Sequence, residues 1–207
     1  MIEALWMLLE HNRLNEISVS MLVAEAGCSR STFYDNFTSL EDLCRAAVKE
    51  EITSQNLFAT LMSHMLVQGS EESSTPFEQG RFFYRMGLLN KRGGGDLANE
   101  AIIGSIMEVW QVVLCPTGGT IKPDAEAIIQ YAVRGRLALL IWQADEHPES
   151  YLMGETFGIG FLKEMSHFAF KHICASQGVD EAETLARMES VVAAESLHVK
   201  EGAQRAS

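Results

Sequence analysis

Between Ser29 and Phe37 the run S-R-S-T-F-Y-D-N-F carries residues that could do chemistry at a helix surface. Phe33 and Phe37 lie four apart, so both can anchor a short helix inward, leaving Arg30, Ser31, Thr32 and Asp35 outside. A guanidinium, two hydroxyls and a carboxylate can exchange hydrogen bonds with base edges, and a helix this short fits a major groove. The rest of the chain is poor in catalytic patterns. It has no G-x-S-x-G, H-E-x-x-H or phosphate-binding glycine motif. His167 and His172 are five apart, Glu146-His147 precedes Pro148 in an expected turn, and His64 reads as a half-exposed residue of a long helix. Cys28, Cys44, Cys115 and Cys174 lie far apart without a C-x-x-C. No enzyme, metal site or cofactor is therefore expected, and unpaired cysteines suit a reducing, cytoplasmic setting.

The flanking residues predict the elements that would hold this helix. Ser18 is a good N-cap, and Val19, Leu22, Val23 and Ala26 follow at helical spacing. Gly27 ends that helix, because glycine takes the left-handed position without a steric penalty. Ser29 caps the second helix, Arg30 to Tyr34, after a short turn, which is helix-turn-helix spacing. Ser39 caps a further helix with Glu41 and Asp42 in its first turn. A first helix, about 2–12, precedes the pair, with Leu5, Leu8 and Leu9 as its apolar stripe.

The run A-G-x-S-x-x-T-F-Y-x-x-F-x-S-x-E-D-L, from Ala26 to Leu43, resembles the DNA-binding domain of TetR/AcrR-type transcriptional regulators. The likeness covers about the first fifty residues without a gap. It implies an all-α protein with a three-helix DNA-binding head (1–48), a helical regulatory and dimerisation domain (49–200) and a tail (201–207), about nine helices in all. It also implies a homodimer that binds a palindromic double-stranded DNA operator, responds to a small-molecule effector and most simply represses. Tyr34 would hydrogen-bond a phosphate, as would Ser18, Thr38 or Ser39. Leu40 stands where the family commonly has lysine.

Charge runs against that reading. The chain carries a formal −12, and residues 1–50 hold Arg13, Arg30, Arg45 and Lys49 against eight acids. DNA affinity leans on neutralised phosphates. The family's basic arm before the first helix has no counterpart here, so a truncated start or weak DNA binding is expected. The alternative is a TetR-fold protein acting through protein partners. With 47% apolar residues and four prolines the chain reads as globular and helical. No stretch of eighteen consecutive apolar residues suggests a membrane span.

Downstream, the helix from Ser39 meets no glycine or proline until Gly69, so it is expected to continue through Leu57, Leu61 and Met65 as a connector of up to ~45 Å. Gly69 to Thr75 reads as a polar loop, Pro76 to Leu89 as a helix, and Arg92 to Gly95 as a flexible linker. A helix capped by Asp96 is expected to run to Leu114, followed by a loop from Cys115 to Pro123. Two long helices follow, Asp124 to Asp145 and Pro148 to Ala175, then a last one from Asp180 to about Leu197.

The two long helices are the expected assembly elements. Gly154, Gly158 and Gly160 inside the second would each cost about 1 kcal/mol, and close approach of another helix would compensate. By the resemblance, Ile129, Val133, Leu140, Gly154, Gly158, Phe161 and Met165 would form a two-fold interface; packing within one chain is the alternative. The effector pocket is expected among Met65, Phe83, Met107, Trp110 and Tyr131, with Met62, Leu66 and Met86 nearby, although such a set at helical spacing also suits plain core. Arg134 or Arg136 could meet an acidic ligand group or form a salt bridge with Glu108 or Asp96.

Overall fold

The computed structural model describes residues 1–53, 76–152 and 157–205. These form ten α-helices and one 3-10 turn, with no strand among the described residues. The helices are α1 (Ile2–His11), α2 (Val19–Glu25), α3 (Arg30–Asn36), α4 (Leu40–Thr53), α5 (Pro76–Lys91), α6 (Gly95–Leu114), α7 (Pro123–Glu146), α8 (Pro148–Leu152), α9 (Ile159–Gln177) and α10 (Glu181–Arg205). The continuation of α4 through Leu57, Leu61 and Met65, and the loop Gly69–Thr75, lie outside the described residues.

In the N-terminal part the starts of α2, α3 and α4 are closed by the predicted hydroxyls. Ser18 accepts from the Met21 N–H at 3.2 Å, Ser29 from that of Thr32 at 3.1 Å and Ser39 from that of Asp42 at 3.1 Å. Each satisfies a backbone donor that the helix itself cannot pair. Gly27 sits at φ +63°, as the turn between α2 and α3 requires. Leu5, Leu9, Leu22, Phe33 and Leu43 meet in the centre of this head, fully buried.

α6 is the central helix, packed against α4, α5, α7 and α10. Its 20 residues and mean hydropathy of 1.3 would suit a membrane span. Here Ile102, Ile103, Ile106, Trp110, Val113 and Leu114 are buried as core. One continuous hydrophobic cluster runs from Ala4 through α6 to Met188, so head and bundle share a core.

The head is also pinned by polar contacts. Arg85 on α5 pairs with Glu3 at 2.6 Å and with buried Glu51 of α4, and lies over the Trp6 ring at 5.0 Å. Arg81 reaches the other Glu51 oxygen at 3.4 Å. The segment 92–95 is not the free linker its glycines predict. Leu14 N–H donates to the Arg92 carbonyl at 2.9 Å, the Arg92 guanidinium donates to the Glu10 carbonyl, and Gly94 is buried. A Cβ on Gly94 would come within 2.6 Å of the Leu89 side chain and 3.2 Å of that of Leu14, so a larger residue here would have to displace both leucines. Asp96 falls in the first turn of α6, and Gly94 takes the cap position instead.

Two further boundaries differ. The expected helix Pro148–Ala175 is two helices, because Gly158 adopts φ +67° and becomes the N-cap of α9. α10 continues to Arg205 rather than ending near Leu197, so residues 201–205 are helical and not a frayed tail.

Candidate nucleic-acid interface and the cleft between α7 and α9

α3 contributes a single side chain to the core. Phe33 is fully buried, edge-on to Tyr34 with ring centroids 5.1 Å apart, while the other six residues of the helix are exposed. Tyr34 is 60% exposed. Arg30 is held across the turn, its guanidinium donating to Ser20 on α2 at 2.5 Å, so Ser20 is a positioning residue that sequence reasoning missed. Thr32 hydrogen-bonds the capping hydroxyl of Ser29 at 2.9 Å, and Asn36 donates to the Thr32 carbonyl at 2.8 Å. Ser31 and Asp35 are exposed on the same helix, so the predicted polar surface is presented outward.

The start of α4 is less suited to phosphate than expected. The Thr38 hydroxyl and N–H both donate to Asp42, at 3.0 and 2.8 Å, which occupies its donor. Those two bonds hold the Asp42 carboxyl below its ordinary pKa. Its own backbone N–H and the Ser39 hydroxyl do the same for Glu41. A phosphate approaching Thr38 or Ser39 would meet two ionised carboxylates. The cations of α4 are directed elsewhere: Arg45 pairs with Glu100 at 3.4 Å and Lys49 with Glu108 at 2.9 Å, both on α6. Glu108 is thus the partner of Lys49, not of Arg134.

The expected effector pocket is not assembled from its predicted members. Met65, Met62 and Leu66 lie outside the described residues, as does the side chain of Phe83. Trp110 is 2% exposed and packs beside Phe170, with ring centroids 6.2 Å apart. Tyr131 is 76% exposed on the far side of α7, Arg134 is exposed and donates to Gln130 at 3.1 Å, and Met107 is partly buried against the core. A separate small cavity of about 40 Å³ lies between α5, α6 and α7, lined by Phe82, Met86, Ile102, Leu137, Leu140 and Ile141.

The expected interface set is also divided. Ile129 and Val133 are buried inside the subunit, and Leu140 lines the inner cavity. Gly154 lies outside the described residues, and Gly158 is at the exposed start of α9. Phe161 (66% exposed) and Met165 do face outward. The reason is helical phase. Ala125, Ile129 and Val133 form the inward stripe of α7, while Ala127, Tyr131, Gly135, Ala138 and Trp142 form an exposed one. With Phe161, Met165 and Phe168 of α9, that second stripe makes an exposed apolar face.

Between α7 and α9 a narrow cavity of about 30 Å³ is lined by Trp110, Ile129, Arg136, Ser166 and Phe170. Its Ala132, Arg136, Ser166 and Ala169 are shared with a groove of about 250 Å³ that reaches Tyr131, Leu139, Phe161 and Met165. Arg136 donates to the Ser166 hydroxyl at 3.2 Å through Nη1, whereas its Nη2 is buried with no partner. The buried Trp110 Nε1 also has none. Burial lowers the Arg136 pKa below its ordinary value. The sequence offers Arg134 and Arg136 alike. The usable signal was phase, since Arg136 lies seven residues, two turns, beyond inward-facing Ile129.

Compared with known proteins, this chain matches no protein-family model, no curated protein and no solved structure.

Proposed function

We propose that this chain is a homodimeric, ligand-responsive transcriptional regulator of the TetR/AcrR type, most simply a repressor, that reads a palindromic DNA operator with α3. The observation that carries the reading is α3 itself: a capped helix with one buried anchor, Phe33, and an otherwise solvent-facing polar surface. Arg30, Ser31, Thr32 and Asp35 address base edges, and Tyr34 and Ser18 donate to phosphates. The exposed apolar stripes of α7 and α9 support self-association, and a dimer supplies the second α3 that a two-half-site operator needs. The α5–α6 turn docked on the head, with the Arg85 bridge, offers a mechanical route from bundle to head. A ligand uses that route only by binding one head arrangement better than the other.

A second reading has its own support. With Arg45 and Lys49 committed to α6 and two carboxylates held ionised at the start of α4, the head offers few cations to a polyanion. In that reading the same fold contacts a protein partner. Selection of duplexes from a random pool, followed by titration of the enriched sequence at rising salt, separates the two. The DNA reading expects a palindrome whose affinity falls linearly on a log–log salt plot. An unenriched pool would leave the protein-partner reading standing.

A further inference from the structure

We propose that the cleft between α7 and α9 binds a small carboxylate with an apolar body, its head held by Arg136, Ser166 and Trp110. This deepens the ligand-responsive part of the reading above and identifies the chemistry of the ligand.

Two residues that line one narrow cavity carry buried donors without acceptors, and they belong to different helices: Arg136 on α7, through Nη2, and Trp110 on α6, through Nε1. A buried donor without a partner is costly, and a buried charge without a counter-charge more so. No ion pair among the described residues reaches Arg136. Water alone could satisfy the hydrogen bonds but would leave the charge uncompensated. A carboxylate answers both needs, because its two oxygens accept several donors and it matches the planar guanidinium. The Ser166 hydroxyl, already accepting from Arg136, keeps its own proton to donate.

The space is graded to match. The cavity of about 30 Å³ has room for a head group, and the adjoining groove of about 250 Å³ offers Tyr131, Leu139, Phe161 and Met165 to an apolar body. Few polar groups converging at the closed end of a mostly apolar cleft is the general form of a small-molecule site. The groove suits a short aliphatic chain or a single ring. Its mouth lies on the exposed apolar face, so an occupied site would also alter what a second copy meets there.

Calorimetry of the full chain with octanoate, benzoate and octan-1-ol tests the site without DNA, so its failure is distinct from failure of operator binding. Both carboxylates are expected to bind, with octan-1-ol about ten- to a hundredfold weaker, the range of a charged hydrogen bond. Arg136→Met should abolish that preference while raising the Tm of the unliganded protein, since it removes a buried unpaired charge. Trp110→Phe should weaken octanoate about fivefold, as loss of one neutral donor does. Equal binding of octanoate and octan-1-ol, no carboxylate binding at about 10 mM, or unchanged octanoate affinity in Arg136→Met would each overturn the proposal. So would a result in which no probe binds and Arg136→Met instead weakens self-association. The donors would then serve the second copy.

Discussion

The head and the α7–α9 region differ in what they leave exposed to solvent. In the head, three helix starts are closed by Ser18, Ser29 and Ser39, the large apolar side chains converge on Phe33, and what faces solvent on α3 is polar apart from the Tyr34 ring. In the α7–α9 region, Tyr131, Trp142, Phe161 and Phe168 stand in solvent while a guanidinium nitrogen and an indole N–H are buried without acceptors. The Trp6 indole N–H in the head is also buried without an acceptor, so the difference lies in the exposed aromatics, which mark the side that is short of partners. Head and bundle share one core, and what sets the bundle apart is the apolar face that the proposed dimer would cover.

Substitutions can break or sharpen this contrast. The largest effect is expected from Phe33→Ala, which empties the centre of the head and should cost about 3–5 kcal/mol in chemical denaturation. A loss under about 1 kcal/mol would mean the head does not depend on that anchor. Next, Phe161→Asp should leave folding nearly unchanged yet weaken the proposed dimer by about 2 kcal/mol, a typical interface anchor, read by sedimentation at several concentrations. A wild type that is monomeric at micromolar concentration would contradict the assembly. Ser39→Ala should cost about 1 kcal/mol by removing a cap, seen as a lower Tm.

The smallest effect concerns Asp42, whose carboxyl is held below its ordinary pKa by the N–H and hydroxyl of Thr38. A group with a lowered folded pKa adds stability that is full above the unfolded value of about 3.9 and is lost as pH falls through the folded one. Asp42→Asn should therefore flatten the acid limb of the stability curve below about pH 4 while changing little at neutral pH. An acid limb as steep as that of the wild type would show that Asp42 is not among the carboxylates that shape it.

What could be read in the sequence divides along the same line. The caps at Ser18, Ser29 and Ser39, the turn at Gly27 and the inward Phe33 were legible because each depends on residues within four positions. The orientation of α7 was not. Its residues are apolar on two sides, so periodicity marks Ile129 and Tyr131 equally and only packing against α6 and α9 decides which is buried. Gly158 reads in the sequence as a helical residue, although it is the N-cap of α9. Its left-handed backbone is a tertiary outcome, foreshadowed only by the density of glycines nearby. The Arg136–Ser166 pair was invisible for a different reason. The partners are 30 residues apart on separate helices, and no local pattern joins them.

Because α3 gives only Phe33 to the interior, its other six positions can drift almost without penalty to the fold, surface changes being worth within about 0.5 kcal/mol. Surface chemistry and stability are thereby uncoupled at those six positions. A library randomised at Arg30, Ser31, Thr32, Tyr34, Asp35 and Asn36 should remain mostly soluble and folded. That makes α3 the segment of this chain where new preferences can evolve, or be engineered, fastest.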